Sequence, residues 1–298
     1  MLNSILNINC LDGFKNIEDE SVDLIIADPP YFKVIGEKWD YAWRTEDEYI
    51  DWCKTWFIEV NRCLRKGGSF YIFGYFRMLS YLLPILEDMG LSLRQQIIVN
   101  KGMKAVSGRA TKNYKMFPNV TESILFLVKD SKPFVKDLLK SRQRELGYTS
   151  KQINEGLGVK SNGGGMWSIY TGNNICKQMP THELWKKLEA VLDFSYPYEK
   201  ISITFNPQLG FTDVWDDIDF YKERKTRIHP TQKPLELIER LILASSNPSD
   251  VVLDPFMGSA TTAVSCILND RNYIGFELDE DYYNLSTERL EKYTHSLF

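Results

Sequence analysis

Val22-Asp23-Leu24-Ile25-Ile26-Ala27-Asp28-Pro29-Pro30-Tyr31 decides the fold. An almost continuously apolar run that stops at an acid reads as a strand buried on both faces, the form strands take in parallel sheets. Two successive prolines cannot continue a helix, and they stiffen the chain so that Asp28 and Tyr31 are held in place. In open α/β sheets, ligands bind beyond the carboxyl ends of strands, which is where this tetrapeptide falls. A carboxylate beside the Pro29 carbonyl, with an aromatic ring next to it, suits a flat, amino-bearing base drawn out of a nucleic-acid stack.

Upstream, Ser4 to Ile8 reads as a short strand, followed by Asn9-Cys10 and a brief helix. Downstream, Phe32 to Thr45 is a polar, aromatic loop containing Trp39 and Trp43. Thr45 caps a helix whose Tyr49, Trp52, Trp56 and Val60 recur at helical spacing. Lys66-Gly67-Gly68 is expected to end it before a strand from Ser69 to Phe73. A helix from Arg77 to Met89, with Pro84 inside, leads to strands over Leu93 to Asn100 and Glu122 to Val128. After Lys129 the pattern turns helical: Phe134 to Leu146, Thr149-Ser150 to Leu157, a glycine-rich loop from Ser161 to Trp167, and Glu183 to Leu192. From Lys233 the α/β rhythm returns. Pro234 starts a helix with Leu237, Ile238 and Leu241 on one face. Val251 to Leu253 and Tyr273 to Phe276 are the strands that follow, and a last helix runs from Asp279 to about Tyr293.

These segments predict an α/β chain with a Rossmann-like, doubly wound, mostly parallel seven-stranded sheet and a helical inserted region. Residues 1–130 and 225–298 form one discontinuous domain, its sheet closed by setting the Ser4–Ile8 strand beside Tyr273–Phe276. Residues 131–224 form the insert.

Hydrophobic content of 43% and charged content of 26% are those of a soluble globular protein. No apolar stretch is long enough to span a membrane, and no signal peptide is read at the N-terminus. The 5 scattered cysteines and 3 histidines argue against a disulfide framework or a zinc site, so no metal and a cytoplasmic location are expected. The net charge of −4 is unevenly spread. Basic residues, among them Lys101, Lys104, Arg109, Arg142, Arg144 and Lys160, crowd the middle beside aromatics and glycines, as in a DNA-facing segment.

A second constellation is Asp254-Pro255-Phe256-Met257-Gly258-Ser259-Ala260-Thr261-Thr262, a strand end running through a glycine turn into a helix, with Glu277 closing the next strand. The glycine lets a ligand approach the backbone, and the acid takes two ribose hydroxyls. No Gly-x-Gly-x-x-Gly is present, so a nucleoside with a zwitterionic tail fits better than a dinucleotide. Phe256 can line it, and Ser259, Thr261 and Thr262 offer hydroxyls near a helix start.

Asp28-Pro29-Pro30-Tyr31, His229-Pro230-Thr231-Gln232-Lys233-Pro234 and Asp254-Pro255-Phe256-Met257-Gly258-Ser259 together resemble the DNA amino-methyltransferases, which methylate adenine N6 or cytosine N4 with S-adenosylmethionine. The order of the motifs is that of the β class, and the resemblance covers both ends of the chain but not its middle. It implies a catalytic group of Asp28, Pro29, Pro30 and Tyr31, with Asp28 and the Pro29 carbonyl accepting from the target amine and Tyr31 stacking on the base. It implies a cofactor site of Asp28, Thr231, Lys233, Pro234, Asp254, Pro255, Phe256, Gly258, Ser259, Thr261, Thr262 and Glu277, with Asn9 and Cys10 near the cofactor's adenine. The family usually has glycine where this chain has Ala260, a change tolerable at negative φ.

Double-stranded DNA is the implied partner; a second copy of the chain and a cognate restriction endonuclease are left open. Trp39, Lys101, Lys104, Arg109, Arg142, Arg144, Asn162 and Trp167 are the candidate DNA contacts, with 131–224 as the target recognition region. Asp before Pro-Pro-Tyr favours adenine N6. Cytosine N4 is the alternative, ahead of an RNA or protein methyltransferase and of a catalytically silent DNA-binding relative.

Overall fold

The structure, a computed structural model of the chain, describes residues 1–33, 42–106, 115, 117–159, 165–172, 178–222 and 227–295. They fall into two compact units, Met1–Lys129 with Thr204–Phe298, and Asp130–Ile203.

The first unit is built on strands β1 (Ser4–Asn7), β2 (Val22–Ala27), β3 (Leu64–Gly74), β4 (Leu91–Asn100), β5 (Thr121–Lys129), β6 (Val214–Trp215), β7 (Val251–Asp254) and β8 (Asn272–Glu277). Among the described residues they form one 8-stranded sheet in the order β1-β8-β7-β2-β3-β5-β4-β6, one strand more than the seven expected. The additional strand is β6, which pairs in parallel with β4 through Ile98↔Val214 and Val99↔Trp215. A two-residue strand carries no periodicity, so the sequence could not announce it. It lies with residues 204–222 in the first unit.

The helices of this unit are α1 (Cys10–Phe14), α2 (Glu46–Cys63), α3 (Phe76–Asp88), α8 (Leu235–Ser245), α9 (Thr261–Leu268) and α10 (Glu280–His295), with α4 to α7 in the second unit. The Thr45 hydroxyl caps α2 by accepting from the Glu48 amide. Its end differs from expectation. Chain pairing begins at Leu64, and Lys66-Gly67-Gly68 lies inside β3, where the register against β2 jumps from Val22↔Leu64 to Leu24↔Ser69. Gly68 is needed there, because a Cβ would come within 3.0 Å of the Asp23 carbonyl. The glycines make a bulge rather than a helix end.

β2 lies between β7 and β3 in parallel with both, and β1 pairs in parallel with β8. From β2 the chain crosses by α2 to β3 on one side; from β7 it crosses by α9 to β8 on the other. The boundary between β2 and β7 is thus the topological switch point, where α/β sheets open a crevice. β5 runs antiparallel to both β3 and β4. Its first residues, not its last, therefore reach the edge of the sheet at which β2, β3 and β7 end.

In the second unit α4 (Lys132–Leu146), α5 (Ser150–Gly156), α6 (Gly165–Thr171) and α7 (His182–Leu192) enclose a core that includes Val135, Leu139, Ile153, Trp167, Trp185 and Leu188. Thr149 and Gln152 form a full capping box at the start of α5. The expected glycine-rich loop ends early: Gly165 opens α6, and Trp167 is 4% exposed, its amide donating to Asn154 Oδ1 at 3.0 Å.

Candidate active site

Asp28 leaves the end of β2 and meets Tyr31 of its own segment and Lys233 from far along the chain, both of which also hold Glu122. The Tyr31 hydroxyl lies 2.8 Å from Asp28 Oδ1 and 2.9 Å from Glu122 Oε1. Lys233 Nζ, from the loop before α8, sits 3.0 Å from Asp28 Oδ2 and 2.8 Å from Glu122 Oε1. Lys101 Nζ, just past β4, is 3.9 Å from Glu122 Oε2. Side-chain exposure is 6% for Glu122, 10% for Lys233 and 21% for Asp28, so this is a buried ionic hub with its open side at Asp28. The Lys233 ammonium also faces the rings of Phe73 and Tyr31, at 5.1 and 5.7 Å from their centroids.

Burial pushes the Asp28 carboxyl up; Lys233 opposes that shift and the Glu122 charge adds to it. Burial works the same way on Glu122, but the Lys233 and Lys101 ammoniums outweigh it and hold that carboxyl down at about 2. Burial alone would discharge Lys233; the two carboxylates reverse this and keep it protonated above the usual lysine range. Tyr31, buried between two acids, titrates well above the ordinary phenol. It is therefore a hydroxyl donor with one proton for two acceptors.

Glu122 was not among the expected site residues. It opens β5, opposite Val99 of β4. Strand-end reasoning looks beyond carboxyl ends, and the antiparallel direction of β5 brings an amino end to the same edge. The one sequence signal is an acid among the apolar residues of Thr121–Lys129, where a charge is costly unless paired.

The second constellation assembles beside the hub. Asp254, 5% exposed, accepts from the Phe256 amide at 2.9 Å and the Thr262 hydroxyl at 2.6 Å. Burial raises its carboxyl to about 7 despite these bonds. Glu277 accepts from the Gly258 amide at 2.7 Å and the Asp279 amide at 2.9 Å, which fixes the plane of its carboxylate; burial raises its pKa too. Gly258 is at φ 52, and a Cβ there would find only the His229 ring, at 3.9 Å. The backbone beside Glu277 is thus open to a close-lying group. A nucleoside with a charged tail fits this cradle: carboxylate for ribose, bare glycine for close approach, Phe256 for an apolar wall.

Other predicted residues hold the loops. Asn9 caps α1 by accepting from the Leu11 amide, and Cys10 is buried, its thiol pushed by burial to about 12. β1 and β8 are in register at Asn7↔Glu277, so Asn9 comes two residues beyond the partner of Glu277, at the same end of the sheet. His229 Nδ1 accepts from the Thr231 amide at 3.2 Å; burial and nearby Lys233 lower its pKa to about 4, so the ring is neutral. Pro234 precedes α8, and the Thr261 hydroxyl donates to the Lys233 carbonyl at 3.3 Å, linking the two loops. Arg289 of α10, which the sequence did not suggest, donates to the Ser259 carbonyl at 2.7 Å and to Thr261 Oγ1 at 3.1 Å. The hydroxyls of Ser259, Thr261 and Thr262 are buried and used inside this loop. Ala260 does not meet the condition of negative φ: it stands at φ 60, fully buried, a conformation that costs a side-chain-bearing residue about 1 kcal/mol.

The expected DNA contacts separate. Lys101 belongs to the hub, and Lys104 lies over the Tyr221 ring at 5.8 Å. Arg142 closes the end of α7, donating to the Leu192 carbonyl at 3.0 Å and to the Asp193 carbonyl, with Glu145 as ion-pair partner. Arg144 is exposed, and Trp167 is a core residue of the second unit. Trp39, Arg109 and Asn162 lie outside the described residues. No helix among the described residues is long and apolar enough to cross a membrane.

Comparison with known proteins supplies the name of this arrangement. Residues 22–288 match the N6/N4 family described as DNA methylase. The DNA adenine methyltransferase YhdJ of Escherichia coli is 30% identical over 301 residues, covering 98% of this chain and 84% of the relative. The type II methyltransferase M.HpaI of Haemophilus parainfluenzae is 29% identical over 291 residues, covering 95% and 72%. The same fold occurs in the M1.HpyAVI–SAM complex, with TM-score 0.58 at 21% identity over 96% of this chain and 98% of that one. It occurs also in the cytosine-N4-specific PvuII DNA methyltransferase, with TM-score 0.57 at 18% identity over 98% and 90%. The chain belongs to the S-adenosylmethionine-dependent N6/N4 DNA methyltransferases.

Proposed function

We propose that this protein methylates the N6 amine of adenine, in a base swung out of double-stranded DNA, and that Asp28 is the group that addresses the amine. The observation that carries this reading is an acid, rather than a hydroxyl, at the head of Asp-Pro-Pro-Tyr, held by Lys233 with its open side beyond β2. The adenine specificity in the name of the 30% identical relative agrees with it.

An exocyclic amine is a poor nucleophile because its lone pair is delocalised into the ring. Hydrogen bonds from the amine to Asp28 and to the Pro29 carbonyl favour a tetrahedral nitrogen and place negative potential where positive charge develops. When bound, S-adenosylmethionine supplies an electrophilic methyl on a positively charged sulfur. Glu277 would hold its ribose, Gly258 and Phe256 its nucleoside, Asn9 and Cys10 the adenine end, and the Thr231–Pro234 and Asp254–Thr262 loops its methionine end. After transfer the nitrogen sheds a proton to Asp28 or to water. Tyr31 stacks on the base, which must leave the duplex to reach this depth.

We assign target recognition to Asp130–Ile203, with exposed Arg144 among its phosphate contacts. Trp167, as a core residue, would act there only by supporting the fold. The test is mass spectrometry of nucleosides from DNA treated with the protein and cofactor. N6-methyladenine is expected; N4-methylcytosine alone would replace adenine with the other amine.

A further inference from the structure

Tyr31 has one proton and two carboxylates within hydrogen-bond reach, at 2.8 and 2.9 Å. Both distances are ordinary, so the hydroxyl can turn from one acceptor to the other without moving the ring. Glu122 is 6% exposed and has no role in the reading of the site given so far. Its ties run to Lys233, Lys101 and Tyr31, and Lys233 is the residue that also grips Asp28.

We propose that Glu122 is a positioning residue for methyl transfer: it accepts the Tyr31 hydroxyl when Asp28 turns its Oδ1 to the incoming amine, and it shares the Lys233 charge so that Asp28 stays a strong acceptor. The inference rests on the assignment of Asp28 to the amine. Without a second acceptor, Tyr31 would keep Asp28 Oδ1 occupied, and the amine would have to displace it. Without a second carboxylate, the whole Lys233 ammonium would fall on Asp28 and weaken its pull on the amine. Glu122 is suited to the task because its own two cations keep it ionised.

The same arrangement predicts a pH signature. Asp28 is faced by Tyr31 on its own segment, Lys233 from the loop before α8, Glu122 from β5, Asp254 from β7 and Tyr49 from α2. Of these, Glu122 is the ionised acid in its immediate shell, and its charge raises the Asp28 carboxyl. Removing that charge lets Asp28 ionise at lower pH, so the acid limb of the rate profile moves down.

The experiment is single-turnover methylation of duplex DNA as a function of pH, with adenosylmethionine affinity measured by calorimetry. Glu122→Met is expected to slow transfer about 10- to 100-fold, the scale of one charge-assisted hydrogen bond, with cofactor affinity within about twofold of wild type. Glu122→Gln, which keeps an acceptor for Tyr31, recovers part of the rate but retains the lowered acid limb. In the double variant Tyr31→Phe/Glu122→Met the competing hydroxyl is gone, so part of the rate lost in Glu122→Met returns while the lowered acid limb stays. A Glu122→Met protein with the wild-type rate, or with its loss confined to cofactor affinity, overturns the proposal, as does an unmoved acid limb. Should Glu122→Met not fold, Glu122→Gln decides: it removes the charge and keeps the shape, and an acid limb at the wild-type position overturns the proposal. Asp28→Ala reports separately on the assignment beneath this inference, since transfer at the wild-type rate there would strike Asp28 itself, whereas an N4-methylcytosine product would strike only adenine and the comparison would then run on that product.

Discussion

Around Asp28 the geometry is fixed by side chains far apart in sequence, whereas around Glu277 it is fixed by backbone amides. The side proposed for the amine joins residues 28, 122 and 233 through buried charges. The side proposed for the cofactor joins Glu277 to the amides of Gly258 and Asp279, and Asp254 to that of Phe256. The difference suits the chemistry. A site for a developing cation needs a tuned negative potential, which only charges can set. A site for a nucleoside needs shape, close approach and a fixed carboxylate plane, which a turn provides.

Removing Lys233 should break the first side most severely. Lys233→Met leaves Asp28 and Glu122 buried without their shared cation, and a loss of about 3–5 kcal/mol in unfolding free energy is expected by denaturant titration. A loss below about 1 kcal/mol would mean that Lys101 and solvent suffice, and that the hub is looser than its distances imply.

The two sides can also be separated by function. Asp28→Ala should lower methyl transfer by at least ~10²–10³-fold, the scale of losing an electrostatic contact made to the transition state, with adenosylmethionine affinity retained. Glu277→Ala should do the reverse, weakening cofactor binding by about 1.5–3 kcal/mol through one charge-assisted bond to ribose. Calorimetry and turnover on both variants would show whether the halves are as independent as their hydrogen bonding suggests; parallel losses of binding and rate in both would merge them.

Acid and alkali should act on opposite sides. The Glu122 carboxyl, held at about 2 against an ordinary 4.5, contributes stability that is full above pH 4.5 and lost as pH falls towards 2. The Asp254 carboxyl, raised to about 7 from an ordinary 3.8, makes the native state hold a proton the unfolded chain has released. Its contribution to stability therefore declines as pH rises from 3.8 to about 7. Asp254→Asn keeps an acceptor for the Phe256 amide and turns its NH2 to the Thr262 oxygen, which then accepts, and should flatten that decline in a series of thermal melts while leaving the acid loss in place.

The smallest effect concerns the loop itself. Ala260 at φ 60 strains the turn that begins α9. Ala260→Gly should stabilise the protein by roughly 0.5–1 kcal/mol, the relief of the left-handed conformation less the added chain entropy of glycine. An unchanged melting temperature would show that neighbouring packing already absorbs the strain.

The sequence by itself determined the elements with strong local causes. Buried strands at Val22–Ala27 and Tyr273–Phe276, the Thr45 cap, the Thr149 start and the placing of Asp28, Asp254 and Glu277 at strand ends all follow from periodicity, caps and proline stops within a few residues. The neighbouring of β1 and β8 followed from closing one sheet with both chain ends. Only the tertiary structure decided what depends on strand direction and long-range pairing. The antiparallel course of β5 turns Glu122, 111 residues from Lys233, into a member of the site. Gly67 and Gly68 became a bulge because β2 lies against them, Arg289 reached the Asp254–Thr262 loop from the last helix, and Trp167 went into a core rather than to a surface. Local sequence sets the conformation of a segment. Which end of a strand meets the site, and which buried charge finds its counter-charge, are set by partners that no window of sequence contains.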